Sequence, residues 1–284
     1  MGTKGEVEKV LIVPKIDDGE VFEFVKKLTS FLERRGKTPI VSSEANKYIK
    51  YERDISLREA SKEDLDLIIT VGGDGTILYT SRFFKATPPI LTVNMGSRGF
   101  MAEIRPDEMR WALELLDRGE YFLEESTRLK VEVGSKRLPD ALNEFLIKYC
   151  PLSKVIGIDL FIDGSLFSRD FVDSLIVSTT TGSTAHALAA GGPIVTPNTD
   201  VFTIVPVASL KLTLRPIVTS VDSLIELKIT HPERGVYGII DGQEMFDIPF
   251  GEMIKISKSE YPVKFVRFRR DSFYRRIRDK LIRE

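Results

Sequence analysis

One junction constrains the fold more than any other part of the chain. Residues 65–71 read Leu-Asp-Leu-Ile-Ile-Thr-Val, and Gly72-Gly73-Asp74-Gly75-Thr76 follows at once. A nearly continuous apolar run suits a parallel strand covered on both faces, because alternation disappears when neither face meets water. The glycines let the backbone turn tightly and come close to a ligand. Residues 77–84 then read as a helix. Its N-terminus would offer N–H groups and the positive end of its dipole to an anion. The segments around this junction repeat the same alternation. Residues 9–14 form a short buried strand. Residues 21–35 place Phe22, Val25, Leu28 and Leu32 at helical spacing before Gly36 stops the helix. Residues 38–41 and 89–93 read as further strands, and 109–116 as a helix started near Pro106-Asp107. Strand and helix in this order predict a doubly wound α/β domain.

The pattern changes near Gly119. Short β-rich segments alternate with turns at 129–133, 141–147, 156–162, 174–178, 201–205, 223–229 and 236–240, an all-β signature. A chain of 284 residues is long enough for two domains at roughly 150 residues each. The expected division is an α/β domain at 1–118 plus 258–284 and a β-rich domain at 119–257. The last stretch, 264–283, carries nine Lys and Arg and is expected to return to the first domain. It reads as a helix with a solvated basic face and with Phe273, Ile277 and Leu281 pointing inward.

Composition narrows the function. Lys and Arg total 41 against 42 Asp and Glu, so no basic excess exists for docking on nucleic-acid phosphates. One cysteine, Cys150, and two histidines, His186 and His231, exclude an intrachain disulfide and a His- or Cys-rich metal centre. No run of about 18 apolar residues suggests a membrane helix. The charged start lacks an apolar signal core, and Glu6 stands where a myristoylation signal wants Ser or Thr. The expected location is therefore the cytoplasm. A charged fraction of 29% beside a single Gln and four Asn is similar to a thermophile's composition. In such a chain each remaining amide is a better candidate for a function.

Three clusters carry chemistry. Asp74 would repel a phosphate, so within the glycine loop it fits better as a base or hydroxyl partner; capping the helix is the plainer alternative. The loop is not a Walker A motif, since no Gly-Lys-Ser/Thr follows, and its spacing is not that of the dinucleotide fingerprint. The second cluster runs Ser178-Thr179-Thr180-Thr181-Gly182-Ser183-Thr184-Ala185-His186 and ends in Gly191-Gly192-Pro193. Its small hydroxyl and glycine residues suit a ribose or a phosphate, although a polar turn can look the same. The third comprises Asn143-Glu144, able to read a base edge or fix ribose hydroxyls, and Asp241-Gly242-Gln243, where Asp-Gly is also an ordinary hairpin turn pair. Lys154 could meet a phosphate, and Asp173 precedes the strand at 174–178. His186 alone would more often be a packed histidine.

Taken together and in order, these motifs resemble the NAD kinase family. The glycine loop 72–76 is one hallmark, and Asn94-Met95-Gly96-Ser97-Arg98-Gly99-Phe100 is similar to the family's Asn-x-Gly-x-x-Gly-Phe segment. Asn143-Glu144, the Thr181–Pro193 region, Arg215-Pro216 and Asp241-Gly242-Gln243 complete the set. The resemblance implies an α/β domain, a β-rich domain and a C-terminal segment packed back on the first. It implies phosphoryl transfer from ATP to the 2′-hydroxyl of the adenosine ribose of NAD. Asp74 would accept the proton, and Gly72, Gly73, Gly75 and Thr76 would approach the phosphates. Phe100, Asn143, Glu144, Lys154, Asp173, Thr184, Ala185, His186, Ala189 and Gln243 would bind nucleotide. It further implies Mg²⁺ entering with ATP, polyphosphate as an alternative donor, and a homodimer or homotetramer with the nucleotide site shared between subunits. The chain departs from the family at Thr180, His186, Ala189 and Ala208, where Pro, Tyr, Ser and His are common. Two other readings share some of these features. A lipid kinase of the diacylglycerol or sphingosine type has the same glycine loop, and a dinucleotide sensor would have kept the fold without turnover.

Overall fold

The computed structural model describes residues 7–96, 99–150, 154–211, 214–269, 272–278 and 281. The chain forms two compact units. One comprises Met1–Glu125 with Val263–Glu284, the other Ser126–Pro262.

The first unit begins with strand β1 (Lys9–Pro14), helix α1 (Gly19–Glu33), β2 (Thr38–Ser42), α2 (Ser43–Ile49), β3 (Asp54–Ile55) and α3 (Leu57–Ala60). Next come β4 (Leu67–Gly72), α4 (Asp74–Ser81), β5 (Ile90–Asn94), α5 (Met109–Asp117) and β6 (Phe122–Ser126). The continuous apolar runs have the expected cause: every residue of β4, and all of β1 but its first, is buried. One face of β1, β4 and β5 packs against Val21, Val25, Leu28 and Leu32 of α1 and Met109, Ala112, Leu113 and Leu116 of α5. The Asp18 side chain caps α1 by accepting from the Val21 N–H, and Gly36 ends that region at φ +72°. The helix after the glycine loop differs from the sequence expectation of 77–84. It starts at Asp74 and ends at Ser81, because Gly73 takes an extended conformation and serves as N-cap.

The second unit contains β7 (Leu129–Val133), β8 (Lys136–Arg137), β9 (Glu144–Tyr149), β10 (Ile156–Ile162), β11 (Ser165–Val172) and β12 (Ser174–Ser178). These lead into the short helix α6 (His186–Ala189) and then β13 (Val201–Val207), β14 (Ile217–Ser220), β15 (Ile225–His231), β16 (Val236–Ile240), β17 (Glu244–Asp247) and β18 (Met253–Lys258). They build two six-stranded sheets, ordered β11-β10-β15-β18-β7-β8 and β14-β13-β12-β9-β16-β17. The strand pairs within both sheets are antiparallel. The two sheets share one core, with Ile158, Leu160, Leu227 and Ile256 from one and Phe145, Ile147, Val177 and Phe202 from the other. This is sheet-on-sheet packing through alternate inward residues. The strand expected at 141–147 begins only at Glu144, since residues 142–144 donate their N–H groups to Asp241.

The chain then returns to the first unit as β19 (Val263–Arg267) and α7 (Ser272–Ile277). β19 lies between β5 and β6, completing the order β3-β2-β1-β4-β5-β19-β6, and runs parallel to β5. The tail differs from its expected solvated form in two ways. Leu281 is exposed rather than inward, and two of the basic residues are withdrawn from water, Arg267 buried and Arg276 partly so, with side chains 3% and 13% exposed. Among the described residues no helix is long and apolar enough to cross a membrane.

Candidate active site

In the first unit the candidate residues sit at the carboxyl edge of the parallel sheet. β1 leads through α1 to β2 on one side, and β5 lies beyond β4 on the other. The crevice outside the carboxyl ends of β1 and β4 is thus a topological switch point, the usual ligand position in open α/β sheets. Lys15 follows β1 there, and Gly72-Gly73-Asp74 ends β4 and opens α4. A Cβ on Gly72 would fall 2.5 Å from Thr76 Oγ1 and 2.9 Å from the Lys15 Cβ, so only glycine lets these segments come this close. A cavity of about 320 Å³ opens beside the loop, lined by Lys15, Ile16, Gly73, Gly75, Thr76 and Tyr79. The positive end of the α4 dipole favours an anion here, and the Lys15 ammonium, paired with the Asp18 carboxylate at 3.2 Å, stands close by.

Asp74 is held on its other side. Its Oδ2 accepts from the Phe100 N–H at 2.6 Å and its Oδ1 from the Met101 N–H at 3.2 Å. A Cβ on Gly99 would lie 2.8 Å from Oδ1. The Gly99-Phe100 pair at the end of the second motif therefore touches the glycine loop directly, and Phe100 does so through its backbone. Asn94 Oδ1 accepts from the Gly96 N–H, turning the chain out of β5. Ser97 and Arg98 of the same motif lie outside the described residues.

In the second unit the candidates fall into two groups at opposite ends of one sheet. The first group centres on Asp241, which stands in the hairpin between β16 and β17 with φ +50°. Its carboxylate accepts from the N–H groups of Leu142, Asn143 and Glu144 at 2.9, 2.7 and 3.0 Å. Asp-Gly is thus the hairpin pair that the sequence suggests, and its carboxylate also anchors the entry to β9. Glu144 is buried, 6% exposed, on the same sheet face as Leu146 and away from the core residue Phe145. Burial, with the nearby Asp241 charge, pushes its carboxyl up to about 8. Its Oε2 and the Oδ1 of buried Asn143 have no hydrogen-bond partner among the described residues. A bound hydroxyl or amide would satisfy such atoms.

The hydroxyl-rich segment is laced onto this group. The carbonyl of Asn143 accepts from the Thr179 N–H and from Ser178 Oγ, and Thr179 Oγ1 donates to the Leu142 carbonyl and accepts from the Gly182 N–H. A Cβ on Gly182 would lie 2.1 Å from the Asn143 carbonyl oxygen, so this glycine is dictated by contact. Thr181–Thr184 then forms a single 3₁₀ turn, in which Thr184 Oγ1 donates to the Thr181 carbonyl. α6 seats Ala187 against Leu146, Ile176 and Val205, while His186 and Ala189 stay exposed and Ala185 is half-buried. His186 is accordingly not a packed histidine. Gln243 closes the hairpin, its N–H donating to the Ile240 carbonyl.

The second group lies at the far end of the same strands. Ser178 is the partner of Glu144, whereas Ser174 is the partner of Lys148. Asp173, just before β12, is therefore roughly 17 Å from Ser178 along the strand. Its N–H donates to the Val207 carbonyl. Lys154 is exposed at this end, its Nζ 5.5 Å from the centre of the Tyr149 ring. Within one chain these two residues do not join the Asn143–Asp241 cluster. The sequence reading also overlooked Lys15 and the Asp241 carboxylate. A lysine directly after a buried parallel strand is a signal that could have exposed the first.

Residues 10–121 match the family model described as the ATP-NAD kinase N-terminal domain, and residues 142–268 that of the ATP-NAD kinase C-terminal domain. The chain is 36% identical over 275 residues to a protein named NAD kinase from Methanothermobacter thermautotrophicus, covering 96% of each. It is 37% identical over 263 residues to one from Pyrococcus abyssi, covering 92% of this chain and 95% of that one. Among solved structures, an NAD kinase from Archaeoglobus fulgidus in complex with ATP superposes with a TM-score of 0.78 at 28% identity, covering 95% of this chain and 99% of that one. The fold is also that of yeast NADH kinase complexed with NADH, at a TM-score of 0.91 and 23% identity, covering 98% and 88%. Family models matching residues 10–121 and 142–268, with relatives 36–37% identical over more than nine-tenths of the chain, make this chain a member of the NAD kinase family.

Proposed function

We propose that the protein transfers the γ-phosphoryl group of ATP to the 2′-hydroxyl of the adenosine ribose of NAD, giving NADP and ADP. The observation that carries this reading is the placement of Asp74. Its carboxylate is fixed by two backbone N–H groups, and the residues on either side of it in the loop, Gly73 and Gly75, line the cavity beside Lys15. The 2′-oxygen forms a bond to the γ-phosphorus, the bond from that phosphorus to the β–γ bridging oxygen breaks, and the hydroxyl proton passes to Asp74. Such transfers run through a loose transition state, so the protein mainly positions groups and neutralises charge. The two N–H bonds leave each Asp74 oxygen a further lone pair for the hydroxyl. Gly73, Gly75 and Lys15 would meet the donor phosphates.

In the second unit, Asn143 Oδ1 and the Glu144 carboxyl would take hydrogen bonds from the dinucleotide's ribose or amide. At neutral pH the raised carboxyl of Glu144 is mostly protonated, so it can donate as well as accept. Thr184, Ala185, His186 and Ala189 would line the adenine pocket, and Gln243 would contact the dinucleotide from the hairpin. Asp173 and Lys154 fit the shared nucleotide site that the family resemblance implies, contributed to a second copy in a homodimer or homotetramer. Magnesium is expected to enter as the ATP complex with phosphate oxygens as its main ligands. No group of three or more His, Cys, Asp or Glu gathers among the described residues to hold it independently.

The test is a coupled assay. Purified protein receives NAD or NADH, Mg²⁺, and either ATP or polyphosphate, and NADP is read with an NADP-specific dehydrogenase, NADPH by chromatography. NADP formed with ATP supports the reading, and the polyphosphate arm defines the donor range. No phosphorylated dinucleotide with either donor, at high temperature as well as low, contradicts it. Phosphorylation of dispersed diacylglycerol instead would turn the assignment to a lipid kinase.

A further inference from the structure

The carboxylate of Asp74 is oriented by the backbone of Phe100 and Met101, and that backbone is in turn gripped by the returning C-terminal segment. Arg267, the last residue of β19, donates from Nη1 to the Met101 carbonyl at 2.8 Å. The same nitrogen is 3.3 Å from Glu103 Oε2, and the guanidinium reaches Glu124 through Nε at 2.9 Å and Nη2 at 2.8 Å. Glu103 is fixed as firmly. Its N–H donates to Thr92 Oγ1, its Oε1 accepts from the Phe268 N–H at 2.9 Å, and Arg276 Nη1 stands 3.8 Å from its Oε2. The Arg267 and Glu103 side chains are 3% and 1% exposed, so the pair is withdrawn from water. Ion pairs at such depth contribute little net stability against apolar replacements, because desolvation offsets their attraction. A specific geometric job is the better account of two charges kept at this depth.

We infer that Arg267 and Glu103 are positioning residues for the phosphoryl transfer, acting on Asp74 through the backbone of Phe100 and Met101. The chain of contacts is short: Asp74 to the Met101 N–H, the Met101 carbonyl to Arg267, Arg267 to Glu103. The planar fork of arginine serves three acceptors at once: the Met101 carbonyl, Glu103 and Glu124. The single ammonium of lysine cannot reproduce that geometry. The same segment explains why β19 must come back to this sheet: the Phe265–Ile90 register sets Arg267 level with Thr92 of β5, whose hydroxyl donates to the Met101 carbonyl and accepts from the Glu103 N–H.

This inference rests on the proposed function, and the experiment separates the two. The Arg267→Lys and Glu103→Gln proteins are assayed for NADP formation with ATP and NAD, below their melting temperatures. The Phe100 amide is followed by NMR in ¹⁵N-phenylalanine-labelled protein and assigned from its loss in Phe100→Leu. The expected result for R267K is a kcat lowered about ten- to hundredfold with both KM values within about twofold of wild type. Its Phe100 amide moves in the direction seen in Asp74→Asn. If R267K does not fold, E103Q, which keeps an acceptor for the Phe268 N–H, carries the same test. A kcat within about twofold of wild type overturns the inference, since a mere buttress lowers stability and not turnover. So does a rise in KM at unchanged kcat, or an unmoved Phe100 amide. An absence of NADP formation by the wild-type protein overturns the proposed function instead.

Discussion

Glu144 shows what burial does to one side chain and how it can be checked. Burial, aided by the Asp241 charge, raises its pKa from 4.5 to about 8, and burial raises Asp241 from 3.8 to about 6 against three N–H donors. A carboxyl with a higher pKa in the folded than in the unfolded state holds more protons when folded. The folded state is therefore favoured below the unfolded value, and that advantage is lost as pH rises through the folded value. The melting temperature should fall between about pH 5 and about pH 8, and Glu144→Gln should flatten that fall. Calorimetry across this range checks it, and parallel profiles for the two proteins would contradict it. Glu144→Ala should raise the KM for NAD by about tenfold, the loss of one buried hydrogen bond of about 1–2 kcal/mol. At this scale the sequence was partly legible. Asn143 and Glu144 stand out because an amide-acid pair inside a β-rich segment is unusual. The Asp241 carboxylate does not, because Asp-Gly is so common in hairpins that the turn alone accounts for it.

Elements were read best where burial is uniform. The runs of β1 and β4 are nearly all apolar because almost every residue in them is buried, and their ends were placed within two residues. The start of α4 was missed by three residues, because the glycines look like loop when Gly73 is in fact the N-cap. β11 and β17 were not read at all. Both are partners in outer hairpins with largely exposed faces, so their apolar residues do not mark a buried side. Gly182 joins elements rather than forming one. Replacing it by alanine sets a Cβ against the Asn143 carbonyl, forcing the Thr179–Thr184 turn away from β9. Gly182→Ala should destabilise the protein by about 1–3 kcal/mol. It should also weaken NAD binding by more than its stability loss explains. Thermal melts with titration calorimetry would show both, and unchanged NAD affinity would contradict the role given to that turn.

For the molecule as a whole, the division into an α/β and a β-rich part follows from a change of period along the chain. The return of the last stretch to the first unit was expected, but the strand β19 within it was not, because five residues beside a basic tail carry no mark of an inner strand. Without it, β5 and β6 would lose their shared neighbour, and the buried Phe265 and Val266 would leave the first core. A protein ending at Pro262 should therefore lose cooperative melting of the first unit, as circular dichroism and limited proteolysis would show. The buried charges of the tail escaped the sequence reading for a related reason: a basic helix face looks the same whether it meets water or Glu103. Asp74 is the residue on which the mechanism depends most directly. Wild-type and Asp74→Asn proteins, mixed with ATP, Mg²⁺ and NAD in a single-turnover experiment, should differ by a factor of about 10² to 10⁴ in the rate of NADP formation. NAD affinity should stay nearly equal. An Asp74→Asn protein that forms NADP at the wild-type rate would remove the carboxylate from the chemistry and contradict the mechanism.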